Sequence, residues 1–290
     1  MFLLPGADRA VPYSAVADAG TRGSVRGEAT VTLPREMFAR SAAEVAPALL
    51  GCVLEHDTPE GLVAVLLTEV EAYHGQADPA SHAYRGRTAR NAVMFGPPGH
   101  AYVYFTYGMH FCVNLVCLPE GTASAVLLRA GRVVEGDGLA RTRRPAPGPG
   151  GRDLARGPAR LCQALGIDRR QNGADICDPA SPLRVRWPGP ADAGPSGGWA
   201  GADGSCGRAE AVDGAGAGGG GLVAGHGPAE LAGAAISRGP RVGVSAAGDR
   251  PWRFWITGDP TVSAYRPYAP RRARHKPVSA HAASDGTIPL

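Results

Sequence analysis

The chain has 290 residues, of which 42 are Gly and 26 are Pro, and its formal charge is only +4. So small a charge names no partner by itself, and Lys276, the sole lysine, leaves no core lysine nucleophile to build on. A third of the Gly, 14 of 42, lies in a low-complexity stretch at 190–228; without it and the two ends, roughly 200 residues remain, enough for one buried core.

Residues 1–31 are small and polar without periodicity and read as a disordered tail. Met1-Phe2-Leu3-Leu4 meets Pro5 and Gly6 at once, too short a run for a secretory signal. With no long apolar run elsewhere, no membrane contact is expected, and the chain reads as soluble and cytoplasmic. A single domain is expected over 32–268, interrupted by the insert. Ser41 with Glu44 three residues on marks a helix start, followed by a stripe through Val45, Leu49 and Leu50. Strands are expected at Cys52–Glu55 and Leu62–Tyr73, joined by the turn Thr58-Pro59-Glu60-Gly61. A long polar loop follows, from His74 to Gly99.

Ala101 to Leu118 gives the strongest strand signal, broken by Gly108. That predicts a hairpin, Tyr102–Tyr107 with His110–Leu118, around a two-residue turn. Ser124 to Gly131 reads as another strand, then an Arg/Pro/Gly linker runs to Arg156. Leu154 to Leu165 reads as helical around Arg156-Gly157-Pro158, with Pro158 tolerated in a first turn. Beyond the insert, Arg241–Ser245 and Pro251–Gly258 read as closing strands, and 269–290 as a basic, then polar tail. Strands in succession with few helices between them indicate α+β with a mostly antiparallel sheet.

Period-two alternation places Val63, Val65, Leu67, Glu69, Glu71 and Tyr73 on one face. The carboxylates then either floor a pocket or mark a strand end emerging into solvent. Tyr102 and Tyr104 share a face and are either core or pocket. Tyr107, beside the hairpin turn, is shaped like a wedge that could enter a base stack. Arg85, Arg87, Arg90, Arg129, Arg156 and Arg160 are either solvated or a surface that grips phosphates. His74, His82, His100 and His110 lack metal-ligand spacing, and the six cysteines show no Cys-x-x-Cys pair. No metal, cofactor or disulfide frame is therefore expected.

Several of these segments match a known pattern together and in order: Thr68–Tyr73 (TEVEAY), Ser81-His82-Ala83, Arg87–Asn91, Met94-Phe95, Tyr102–Asn114 (YVYFTYGMHFCVN), Val126–Ala130, Gly157–Leu161 and Arg241–Val244. From about Leu33 to Thr261, minus the insert, the chain resembles the alkyladenine (3-methyladenine) DNA glycosylase family. The resemblance implies one compact α+β domain around a curved antiparallel sheet with a protruding β-hairpin. It implies a cofactor-free monomer that removes damaged purines from double-stranded DNA in base excision repair. By resemblance Glu71 activates water, helped by Arg129 and the main-chain carbonyl of Val242. Glu69, by contrast, is expected to tolerate loss of its charge. Tyr73, His82 and Tyr104 become pocket walls, and Asn114 the residue that meets the 2-amino group of normal guanine. Tyr107 becomes the side chain that fills the vacated stack, and Arg87, Arg90, Tyr102 and Met109 become DNA contacts. The competing readings are a non-catalytic damaged-DNA binding protein, and a lyase whose amine could come only from Lys276.

Overall fold

The longest strand, β2 (Gly61–Tyr73), organises a computed structural model that describes residues 31–106, 108–144, 149–192 and 233–269. One edge of β2 pairs with β5 (Ser124–Glu135). The other pairs first with β1 (Val53–Thr58) and then with β9 (Arg253–Ile256). The main path runs β3 (Ala101–Thr106), β4 (His110–Cys117), β5, β2, β1, β7 (Leu183–Arg186). Beside it, β6 (Ala155–Arg156) pairs with β5, and β8 (Ile236–Gly239) with β9. These strands make one open, antiparallel, nine-stranded sheet accompanied by few helices, the expected α+β class.

Among the described residues four α-helices accompany it: α1 (Arg35–Phe38), α2 (Ala42–Leu49), α3 (Asp137–Arg143) and α4 (Pro158–Leu165). Helix α2 starts where the sequence marks it. The N–H and hydroxyl of Ser41 donate to Glu44 Oε2 at 3.1 and 2.5 Å, occupying a donor that an α-helix start leaves free. Pro158 opens α4, and Gly166 ends it at φ +71°, a left-handed geometry that suits glycine. The apolar sides of α2 and α4 join Val65, Leu67, Val70, Val113, Leu115, Val126 and Leu128 in the main core. The core therefore lies on one face of the sheet and leaves the other face for a site.

The fold departs from expectation in several places. The hairpin closes through three residues, 107–109, because Thr106 pairs with His110 and the Met109 N–H donates to Thr106 O at 3.1 Å. Gly108 adopts φ +68° within that loop, where a side chain is rarely accommodated. The supposed linker after β5 contains α3, hidden by its Arg-rich composition. Arg241–Ser245 is not a strand: β8 lies just before it, and 241–245 is an irregular loop. Strand β7 was not anticipated. The stretch read as an insert begins inside the fold, since Asp192 is buried and its carboxylate accepts from Arg186 at 2.6 and 2.9 Å. The remainder, 193–228, lies outside the described residues, as do the tails apart from Val31 and Ala269. Among the described residues no helix is long and apolar enough to cross a membrane.

Candidate active site

Strand register puts the chemistry on the face opposite the core. Glu71 pairs with Leu127, Leu127 with Asn114, and Asn114 with Tyr102. Directly opposed residues share a face, so four strands contribute to one row. Val70, Ala72, Val126 and Val113, their immediate neighbours in sequence, all lie in the core.

The two carboxylates reach that face through an irregularity. In the β2–β5 ladder the register shifts between Leu67 and Glu69, and again between Glu69 and Val70. An extra residue inserted in a strand inverts the sidedness of everything after it. Val63, Val65 and Leu67 point into the core before the bulge, and Val70 and Ala72 do so after it. Glu69, Glu71 and Tyr73 thus lie on the face opposite Val63, Val65 and Leu67, which corrects the simple alternation. The second shift falls at Arg129, the β5 residue passed over between the partners Ala130 and Leu128. Gly131 permits the close approach here: a Cβ on it would lie 2.3 Å from Leu66 O.

Glu71 is fully buried and held by three donors. The Val242 N–H donates to Oε1 at 2.7 Å, and the Tyr73 hydroxyl to Oε2 at 2.9 Å. Arg129 Nη1 lies 3.2 Å from Oε2. Burial, with Glu71 beside it, pushes the Tyr73 phenol well above its ordinary pKa, so it remains a donor. Glu69 is equally buried, and its Oε1 accepts from Arg129 Nε at 2.7 Å, Arg253 Nε at 2.8 Å and Ser263 Oγ at 2.8 Å. Its Oε2 takes the Ser263 N–H at 2.6 Å. Burial opposes charge on Glu69, but Arg129 and Arg253 outweigh it and hold the carboxyl below the usual carboxylate range. Glu69 is therefore the anchor of Arg129 and not a bystander.

In front of this network opens a cavity of about 410 Å³, lined in part by Tyr73, His82, Tyr102, Tyr104, Asn114, Arg129 and Val242. Glu71 sits behind three of these: Tyr73 and Val242, which donate hydrogen bonds to it, and Arg129, its ion-pair partner. The rings of His82 and Tyr104 meet edge-on with centroids 4.4 Å apart, and Tyr102 stacks on Tyr104 at 5.5 Å. His82 stands at the exposed mouth. The protein crowding its inner side, together with Arg90, holds its pKa below the ordinary value. Its Nδ1 is 3.1 Å from the Tyr102 hydroxyl, and Asn91 Nδ2 fixes its backbone by donating to His82 O at 2.9 Å. Asn114 Nδ2 donates to Tyr102 O at 3.1 Å.

The structure thus brings Glu71, Arg129, Val242, Tyr73, His82, Tyr104 and Asn114 together. Val242 meets Glu71 through its N–H, whereas its carbonyl had been expected to matter. Tyr102 is 1% exposed and belongs to the cavity interior, so it is not a surface contact. Arg87, Arg90 and Met109 are exposed, and Arg90 Nη2 reaches Phe105 O in the hairpin at 3.4 Å. Tyr107 lies outside the described residues. Arg156 turns inward instead, donating to Val262 O at 2.9 Å. Arg253 and Ser263 went unnoticed in the sequence. The one available signal was a charge inside the apolar run Trp252-Arg253-Phe254-Trp255, since an Arg so placed is normally paired.

A buried carboxylate thus stands behind an aromatic cavity on the open antiparallel sheet of an α+β fold. Residues 36–196 match the family model for methylpurine-DNA glycosylase (MPG). A Streptomyces avermitilis protein provisionally named 3-methyladenine DNA glycosylase is 50% identical over 246 residues, covering 83% of this chain and 95% of its own. A Frankia casuarinae protein of the same provisional name is 46% identical, covering 82% of this chain and 94% of its own. A third, from Leifsonia xyli, is 44% identical, covering 80% and 92%. The chain belongs to the methylpurine-DNA glycosylase family and is a hydrolase of N-glycosyl bonds in DNA repair.

Proposed function

We propose that this protein turns alkylated or deaminated purines (3-methyladenine, 7-methylguanine, hypoxanthine) out of duplex DNA and hydrolyses the bond from the base to deoxyribose C1′. What carries this reading is the juxtaposition of Glu71, held by Val242, Tyr73 and Arg129, with a cavity walled by Tyr73, His82 and Tyr104. Extruding a base costs a few kcal/mol, less where damage has weakened its pairing. Tyr107 is assigned the gap left behind, and Arg87, Arg90 and Met109 the flanking DNA.

Once the base is seated, the C1′–N bond breaks heterolytically and its electron pair leaves with the purine. The sugar becomes oxocarbenium-like, and a carboxylate at that position stabilises it. Glu71 takes a proton from water as the water's oxygen bonds to C1′. Arg129 and the Val242 N–H hold the carboxylate in place through this change. A cationic methylpurine gains about 0.5–2 kcal/mol between aromatic faces and is already a good leaving group. Hypoxanthine is neutral and relies on contacts to its edge, for which His82 at the mouth is placed. Asn114 lies on the cavity floor beside Tyr102, where the 2-amino group of guanine would collide with it, a selection by repulsion.

The test is incubation with duplexes carrying each of the three lesions, or ethenoadenine, under single-turnover conditions with assay of free base. Tight binding without base release would instead establish a damage binder.

A further inference from the structure

Behind Glu71 lies a buried ion pair to which the reaction above gives no role. The Arg241 side chain, which immediately precedes Val242 in sequence, is fully enclosed, as is that of Asp78. Arg241 Nη1 and Nη2 donate to the two carboxylate oxygens of Asp78 at 2.5 and 2.8 Å. Nη1 also donates to Ala72 O at 3.0 Å, and Nη2 to Ala247 O at 3.3 Å. The guanidinium lies 4.6 Å from the centre of the Tyr73 ring and 5.2 Å from that of Trp252. Asp78 also accepts the N–H groups of His74 and Ala80, each at 3.2 Å, at the root of the loop that carries His82.

One guanidinium therefore joins four parts of the site. It holds the peptide between Glu71 and Tyr73, one face of the Tyr73 ring, the base of the His82 loop, and the 241–247 loop that presents the Val242 N–H. A buried ion pair is a poor way to gain stability alone, because apolar residues of similar volume often serve as well. Its distinctive property is fixed direction, and a planar fork with several donors supplies it where an ammonium does not.

We propose that Arg241 and Asp78 are a positioning pair that sets the Val242 N–H and the Tyr73 hydroxyl on Glu71, and so aims the carboxylate at the bond being cleaved. The proposal rests on Glu71 being the group that activates water. Arg241 touches neither that water nor the sugar and acts through its neighbours.

The test uses the full chain and the variants Arg241→Lys, Asp78→Asn and Glu71→Gln, with Arg241→Lys also combined with Glu71→Gln. Melting temperature, affinity for a hypoxanthine-containing duplex and single-turnover excision are measured on each. Arg241→Lys is expected to remain folded and to bind within about threefold of wild type, while excision slows roughly 10–100-fold, the usual effect of losing a group that orients a catalytic ligand. In the Glu71→Gln background the same change should add no further loss, since the pair acts through Glu71. Wild-type excision by Arg241→Lys overturns the proposal, as does a multiplicative loss in the double variant. Failure of both Arg241→Lys and Asp78→Asn to fold reduces the pair to scaffold and overturns it too. Wild-type excision by Glu71→Gln, seen in a different variant, removes the underlying reading and the proposal with it.

Discussion

Arg129 couples the two buried carboxylates of β2: its Nε donates to Glu69 Oε1 at 2.7 Å, while Nη1 of the same guanidinium lies 3.2 Å from Glu71 Oε2. Glu69 thereby fixes the cation that faces Glu71. The two carboxylates, two residues apart, have different work.

Glu71→Gln should abolish excision, a loss of about 10²–10⁴-fold, because it removes the base and keeps the size of the side chain. Binding to lesion DNA should stay near wild type. Near-normal release of hypoxanthine, measured by single-turnover assay, would refute the assignment of Glu71.

Glu69→Gln should destabilise the fold by about 3–5 kcal/mol, since it leaves two buried guanidiniums without their shared charge. Activity should fall with it, which reverses the expectation from sequence. The folded carboxyl lies below its ordinary pKa, so its contribution is complete above the usual carboxylate range and is lost as pH falls through the depressed value. Urea melts of wild type and variant should therefore differ fully at neutral pH and converge on acidification. A gap independent of pH would exclude the ion pair as its cause.

Tyr107→Ser should weaken duplex binding and excision by about 1–3 kcal/mol, the scale of base–aromatic stacking, with less effect where the lesion is poorly paired. Melting temperature should hardly change. Stability lost together with activity would make Tyr107 a packing residue and remove the wedge.

Deleting 194–227 should leave fold and glycosylase activity largely intact, because so glycine-rich a sequence offers little apolar surface to offset its ordering. Deleting 190–227 removes Asp192 as well and should cost on the order of 1–3 kcal/mol, through the lost charge-assisted bonds to Arg186. Calorimetry on the two deletions separates these outcomes; equal melting temperatures would show the Asp192 contact to be inconsequential.

Local periodicity was enough for the hairpin, β2, β5 and the first turn of α2, because each announces itself through alternation or a cap. The cavity walls Tyr73, His82 and Tyr104 were accessible through ordered motifs. The facing of Glu69 and Glu71 was not, since the bulge depends on how β5 and Gly131 press against β2 and leaves no trace in β2 itself. Arg253, Ser263 and Asp78 were missed for a related reason. Each acts through partners at long sequence separation, as Ser263 does with Glu69, 194 residues away.

The bulge also changes the neighbours of β2. Up to Leu66 its free edge is taken by β1, and from Glu69 onward by β9. The hydroxyl of Thr68, between the two, lies 2.7 Å from that of Thr261. The sheet forks there, and both glutamates stand in the crotch of the fork. A one-residue deletion at this point would rotate the acidic half of the strand into the oily core and turn the aliphatic Val70 and Ala72 toward the cavity. Strand length here thus specifies the site as much as side-chain identity does: a substitution alters one residue, whereas a single shift in spacing would displace Glu69 and Glu71 together.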